Sequence, residues 1–357
     1  MFKTGGTTSA PKMTVYTRDE LRDMAVLQGN GFAEAGLRPG DRVANLFYAG
    51  SLYASFLFNV LCLQESRIPS VHIPIAGSAP PEEMATMIVE QRATVLLGTP
   101  TTVNLVAANL VERGISLPDV HLFLFGGEAF YEDQRGLLSA AFPNAAVMSL
   151  GYASVDAGVI AAPIEGVADH RVHRVHTGQK LAEIVDDVTG ETIRAEGRPG
   201  RLIFTDLVRR LMPVIRYPVG DRAAWVDHER RELRLLGRAD EGARVGPVTV
   251  YLEDLRSLVE KVAVGRQVAG IQVVQRRHDS KDQLVLRIAG QVEGPDRLTA
   301  AITSDFHALR PMFAEHVDAN LIAPLVVEYV RPGELVVNPR SGKVVRLIDE
   351  RFDGGAT

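Results

Sequence analysis

Short, wholly apolar runs alternate with longer amphipathic stretches from Arg42 to Leu150. That rhythm is the signature of buried parallel strands joined by crossover helices. The runs Arg42–Phe47, Val71–Ile75, Thr94–Leu97, His121–Phe125 and Ala145–Leu150 predict strands. Between them, Leu52–Leu63, Pro80–Gln91, Thr101–Arg113 and Tyr131–Ala141 predict helices, with Pro80-Pro81 opening one and Gly114 closing another. Upstream, Thr17-Arg18-Asp19-Glu20 reads as a capping box for a helix that runs to about Ala35 and stops at Gly36. After about Gly158 the rhythm shortens. Leu181–Val185, Gly200–Thr205, Arg222–Val226 and Glu232–Leu236 are separated by turn signals such as Thr189-Gly190 and Pro199-Gly200, which predicts an antiparallel β subdomain. A third rhythm follows Asp240: a helix (Glu253–Val262), two strands (Val268–Gln275, Gln283–Ala289), a helix (Pro295–Leu309) and a strand (Leu325–Val330). The expected class is α/β. A large N-terminal domain (1–240) carries a mainly parallel sheet plus the β subdomain, and a small α+β C-terminal domain (241–357) follows. In such sheets ligands bind at the carboxyl ends of the strands.

Composition narrows the picture. The 357 residues are 46% hydrophobic and 23% charged, which suits globular domains and excludes wholesale disorder. A net charge of −5 argues against a protein built to grip nucleic acid. The single cysteine, Cys62, excludes an intramolecular disulfide and a CxxC zinc site. It fits a reducing, cytoplasmic setting. Leu52–Leu63 is the longest apolar stretch and is too short for a bilayer, so neither a membrane span nor a signal peptide is expected.

Five segments carry candidate chemistry. Thr4-Gly5-Gly6-Thr7-Thr8-Ser9-Ala10-Pro11-Lys12 is a Gly- and hydroxyl-rich run that can cradle an anion, with Lys12 adding charge. Gly151-Tyr152-Ala153-Ser154-Val155-Asp156 follows a predicted strand, where a carboxylate can meet Mg2+. Tyr217-Pro218-Val219-Gly220-Asp221 sets a carboxylate after a tight glycine turn, placed to accept from ribose hydroxyls. Gly237-Arg238-Ala239-Asp240 marks the boundary between two rhythms, and Pro339-Arg340-Ser341-Gly342-Lys343 lies near the C-terminus. His170, His173 and His176 are read as strand or loop histidines rather than a zinc set, since no cysteine or acidic support accompanies them. Phe47-Tyr48-Ala49-Gly50, at a strand end, is the candidate wall of a substrate pocket, and the aromatic side chains of Leu52–Leu63 are read as core.

Together and in this order, the five segments resemble the adenylate-forming superfamily: acyl-CoA ligases, luciferases and the adenylation domains of nonribosomal synthetases. The resemblance covers essentially the whole chain. Gly126-Gly127-Glu128-Ala129, Met212-Pro213-Val214-Ile215-Arg216-Tyr217 and the ending from Pro339 to Asp349 are most similar to the phenylacetate–CoA ligase branch. The resemblance implies a two-step reaction, in which a carboxylate attacks the α-phosphate of ATP to give acyl-AMP and a thiol then takes the acyl group. The thiol is that of CoA or of a carrier protein's phosphopantetheine. It further implies that Lys343 and Arg238 are catalytic. Thr4, Gly5, Gly6, Thr7, Thr8 and Lys12 hold phosphates; Gly127, Glu128 and Tyr152 flank the adenine; Asp221 binds the ribose. Asp156 holds Mg2+, Asp240 is the hinge of a mobile small domain, and Phe47, Tyr48 and Gly50 line the acyl pocket.

The chain departs from the family pattern at several places. Gly5 stands where serine is usual, Ser9 where glycine is usual, Asp156 where glutamate is usual, Ala153 in place of glycine, and Gly246-Pro247 in place of a basic residue and glycine. Three residues precede the phosphate loop, far fewer than in the family, and a homodimer covering the surface so left is an expectation. Three rival readings stay open on sequence alone: loading of a carrier protein, ATP-independent acyl transfer between CoA and a carrier protein, and a non-catalytic nucleotide-binding remnant.

Overall fold

The computed structural model describes residues 1–3, 12–50, 52–130, 134–187, 189–238, 242–246, 248–262, 267–292, 294–338 and 342–351. The chain divides into two compact units. The first comprises Met1–Phe130, Ser139–Ala239 and Pro339–Lys343, and the second Tyr131–Leu138, Asp240–Asn338 and Val344–Thr357.

The first unit contains a five-stranded, all-parallel sheet in the order Val71–Pro74, Arg42–Asn45, Val95–Gly98, Leu122–Phe125, Ala146–Ser149. Its inner strands are apolar on both faces because helices cover both. Val95–Gly98 and Leu122–Phe125 are buried at every position. The connecting helices that lie wholly in this unit are Ser55–Glu65, Pro81–Glu90 and Pro100–Glu112. The first helix, Arg18–Glu34, opens on the expected capping box: Thr17 Oγ1 accepts from Glu20 N, and Glu20 Oε2 accepts from Thr17 N. Gly36, at φ +103°, takes the backbone out of the helix in a conformation an L side chain rarely adopts.

This unit also holds an eight-stranded antiparallel sheet, in the order Thr192–Ile193, Lys180–Val185, Gly200–Asp206, Tyr217–Asp227, Glu232–Arg238, Val172–Val175, Gly158–Pro163, Tyr152–Ser154. Trp225, Phe204, Ile160 and Leu202 anchor its core, and Trp225 donates from Nε1 to the Ile193 carbonyl at 2.9 Å. The second unit holds a hairpin (Gly242–Val245 with Val248–Tyr251), the helix Leu252–Val262, and a four-stranded sheet in the order Val326–Val330, Lys281–Gln291, Gln267–His278, Leu347–Asp349. Its own core is built from Leu255, Val259, Ile271, Leu286, Ile302 and Phe306.

Three differences from the sequence reading have physical causes. The helix placed at Leu52–Leu63 forms at Ser55–Glu65, because Leu52 sits in the left-handed region at φ +65°. The strand placed at Arg222–Val226 begins at Tyr217. Pro218 and Gly220 look like turn residues, but they lie in a bulge: Ile203 pairs with Pro218 and Arg201 with Arg222, so the extra residues bow out between them. Asp221 therefore stands inside a bulged strand rather than after a tight turn. The strands Tyr152–Ser154, Gly158–Pro163 and Val172–Val175 escape sequence reading because each is short and lies between glycines, prolines and turns. Among the described residues no helix is long and apolar enough to cross a membrane.

Candidate functional site

The parallel sheet reverses its direction of growth between Arg42–Asn45 and Val95–Gly98, since the chain first adds Val71–Pro74 on one side and then crosses to the other. The crevice outside the carboxyl ends at such a reversal is where open α/β sheets bind ligands. Among the segments that leave those ends are Phe47–Gly50, Thr99-Pro100, Gly126–Glu128, and the one beginning at Gly151. These segments belong to the first unit.

The Gly126–Glu128 loop is held from two sides. Glu128 Oε2 accepts from Thr101 N at 3.1 Å and from Thr101 Oγ1 at 2.7 Å, which caps the N-terminus of the helix Pro100–Glu112 with a carboxylate. Sequence reasoning did not single out Thr101. Lys343 donates from Nζ to the Gly127 carbonyl at 2.6 Å. Gly127 adopts φ +77°, and a Cβ there would stand 3.1 Å from Lys343 Nζ, so glycine leaves the space the ammonium uses. One residue earlier, Gly342 lies so close to the ring of Tyr48 that any side chain would overlap it. Burial also pushes the Tyr48 phenol above the usual tyrosine range. Of the proposed pocket residues, Phe47 is 3% exposed and packs in the sheet's core with Leu97 and Leu124, whereas Tyr48 is half-buried and Gly50 is exposed.

A second group gathers on the antiparallel sheet. Lys12 Nζ donates to Tyr217 Oη at 2.8 Å, and Tyr217 Oη donates to Asp156 Oδ2 at 2.6 Å. The two ends of the proposed phosphate and metal region are thus joined through one phenol. Burial, with the Asp156 carboxylate beside it, raises the Tyr217 pKa above the usual value, which keeps it a donor. Tyr152 Oη donates to Asp221 Oδ2 at 2.5 Å, and Asp221 pairs across the ladder with Arg238. The bulge in the strand aims this carboxylate. Gly151 N donates to Ser149 Oγ, which in turn meets His173 Nε2 at 3.2 Å, while His173 Nδ1 donates to the Arg171 carbonyl. Burial pushes the His173 pKa down to about 4. His170 instead stands edge-on to Phe125 and Phe130. Among the described residues no group of three or more metal-ligating side chains could by itself hold an ion.

Thr4, Gly5, Gly6, Thr7, Thr8 and Asp240, and the side chain of Arg238, lie outside the described residues. The structure joins Lys12 to Asp156 through Tyr217, Tyr152 to Asp221, and Lys343 to Gly127.

The family model for AMP-binding enzymes matches residues 1–206. A phenylacetate-coenzyme A ligase of Thermus thermophilus is 26% identical over 97% of this chain and 79% of its own length. Among solved structures, a 2-hydroxyisobutyryl-CoA ligase in the postadenylation state with its acyl-AMP matches at a TM-score of 0.70 and 20% identity, covering 98% of this chain and 73% of that one. An anthranilate CoA ligase with anthranoyl-AMP matches at a TM-score of 0.67 and 18% identity, covering 97% of this chain and 65% of that one. With a family match over more than half its length and the parallel sheet of those ligases, the chain belongs to the AMP-binding, adenylate-forming enzymes, in the branch that resembles phenylacetate–CoA ligases.

Proposed function

We propose that this protein joins a carboxylic acid of the aryl or arylacetic class to CoA in two steps, through an acyl-AMP intermediate and with release of pyrophosphate. The observation that carries this reading is the seat of Lys343, whose ammonium meets the Gly127 carbonyl in a loop at the carboxyl end of the parallel sheet. Adenylation builds negative charge at the α-phosphate, and a preplaced cation is what that transition state needs. Lys343 supplies it, and Arg238 is assigned to the ribose or phosphate.

The other roles follow the same logic. Thr4, Gly5, Gly6, Thr7, Thr8 and Lys12 grip the outer phosphates. Gly127, Glu128 and Tyr152 border the adenine, and Asp221 accepts from the ribose hydroxyls. Tyr48 and Gly50 border the acyl group, with Phe47 backing them from the core. The segment 241–357 acts as a lid on residues 1–240, with Asp240 as the hinge that exchanges the Lys343 face for thiol delivery. Mg2+ characteristically takes one or two carboxylates together with phosphate oxygens. The Asp156 carboxylate, in the same hydrogen-bonded group as Lys12, fits that donor set. When bound there, the ion neutralises charge on the phosphates of ATP.

CoA is the acceptor in this reading and the cytoplasm its location. A carrier protein's phosphopantetheine offers the same thiol chemistry. The test is product analysis: protein, ATP, Mg2+, CoA and a panel of acids, read by mass spectrometry for acyl-CoA and AMP. An acyl-CoA from one acid supports the reading. Acyl-AMP that accumulates with CoA present, and is consumed only by a carrier protein, moves the acceptor. We also propose a homodimer, supported by the exposed apolar side chains of Leu207, Leu211 and Ile215. Light scattering that gives the monomer mass would contradict it.

A further inference from the structure

The turn that carries Asp156 is held from beneath at three successive carbonyls, each by a different side chain. Tyr16 Oη donates to the Val155 carbonyl at 2.6 Å. Arg209 Nη1 donates to the Asp156 carbonyl. Lys180 Nζ lies 3.5 Å from the Ala157 carbonyl. None of these three belongs to a motif that the sequence singled out.

The grip is itself anchored. Arg209 is 5% exposed, and its Nη2 donates to Thr14 Oγ1 and, at 2.9 Å, to the Val15 carbonyl. Its guanidinium lies 4.1 Å from the centre of the Tyr16 ring. Lys180 is 1% exposed and forms an ion pair with Asp206, whose other oxygen accepts from Val208 N and Arg209 N at 3.0 and 3.1 Å. Burying this much charge is costly unless every partner is placed. A turn that only needed to reverse the chain would not require it, because the local bond from Ala157 N to Ser154 Oγ already closes it. On the upper side of the turn the Asp156 carboxylate is steered by Tyr217.

We infer that Tyr16 and Arg209, braced by the Lys180–Asp206 pair, are positioning residues that fix the Val155–Ala157 backbone so that the Asp156 carboxylate is presented to a divalent cation. The inference rests on the proposed role of Asp156 toward Mg2+. It adds a second layer of support, of the kind that orients metal ligands elsewhere. Tyr16 and Arg209 touch neither nucleotide nor acid in this account and act only through the turn.

The test is Mn2+ binding, read by electron paramagnetic resonance of the free ion, to protein saturated with a non-hydrolysable ATP analogue. Tyr16→Phe keeps the ring against Arg209 and removes the hydroxyl, with its bond to the Val155 carbonyl and the 3.5 Å bond it accepts from Arg209 Nη1. Arg209→Lys keeps the charge and loses the fork. Asp156→Asn is the reference, and the melting temperature of each variant is measured alongside. The expected result is Mn2+ affinity weakened by about tenfold in Tyr16→Phe and Arg209→Lys, the loss typical of a disturbed outer shell, with metal-free binding of the analogue within about twofold of wild type. Wild-type Mn2+ affinity in a folded Tyr16→Phe and Arg209→Lys, while Asp156→Asn binds weakly, overturns the inference and leaves the role of Asp156 standing. Equal affinity in wild type and Asp156→Asn removes the role of Asp156 itself, and the inference with it.

Discussion

Lys343 and Gly127 are 216 positions apart, yet the lysine's ammonium donates to the glycine's carbonyl at 2.6 Å. Two glycines make that approach feasible. Gly127 leaves the space a Cβ would take from the ammonium, and Gly342 lets the lysine's own backbone lie against the Tyr48 ring. The contact puts a cation at the carboxyl end of the strand Leu122–Phe125, where the fold binds ligands.

Replacing that cation should separate the half-reactions. Lys343→Ala is expected to slow acyl-AMP formation by about 10²–10³-fold, the loss typical of one preorganised charge donor. Thioester formation from supplied acyl-AMP should stay near the wild-type rate. Single-turnover assays of each step measure this, and equal loss in both would remove the division of labour proposed for Lys343.

Asp221 should act on nucleotide affinity. Its carboxylate is positioned by the Tyr152 phenol at 2.5 Å and by the strand bulge. Asp221→Ala is expected to weaken ATP binding in calorimetry by about tenfold, the worth of one charge-assisted hydrogen bond, while acid binding is unaffected. Unchanged ATP affinity would mean that the carboxylate does not meet the ribose.

Gly151 should tolerate no side chain. Its φ is +98°, and a Cβ would stand 2.4 Å from the Ala161 carbonyl oxygen in the paired strand. Gly151→Ala is expected to cost at least about 1 kcal/mol of stability from backbone strain alone. It should also shift Tyr152 and so weaken ATP binding. Chemical denaturation checks the first effect, and a midpoint equal to wild type would contradict it.

His173 makes stability fall in acid. It is 3% exposed, and burial holds its folded pKa at about 4, below the unfolded value of 6.5. A depressed folded pKa means that the stabilisation is present above pH 6.5 and is lost as pH falls toward about 4, because only the unfolded chain takes the proton readily. The loss across that window is on the order of 3 kcal/mol. His173→Gln should flatten this part of the curve, as read by urea unfolding at pH 7 and pH 4.5. Parallel curves for the two proteins would show that His173 does not carry the effect.

Much of this was legible from residue patterns. Wholly apolar runs such as Leu122–Phe125 mark strands covered on both faces, and Thr17 with Glu20 marks a helix start, because both signals are local. The order of the five motifs pointed to the family before any geometry was known. The bulge at Pro218–Asp221 was hidden, since proline and glycine signal a turn equally well, and only pairing to Ile203 and Arg201 distinguishes the two. Tyr217 as the bridge from Lys12 to Asp156, and Thr101 as the partner of Glu128, were hidden for a different reason. They are contacts between distant segments, and single-sequence spacing carries no information about which loops meet. The buried Lys180–Asp206 pair is likewise spelled by two charged residues that sequence alone assigns to the surface.

The most direct test of the central claim is pyrophosphate release from ATP and Mg2+ against carboxylic acids running from acetate through benzoate and anthranilate to phenylacetate, with and without CoA. The account predicts acid-dependent release, highest with an aryl or arylacetic acid, that becomes catalytic when CoA is added. Folded protein that releases no pyrophosphate with any acid, or that moves acyl groups without ATP, would contradict it.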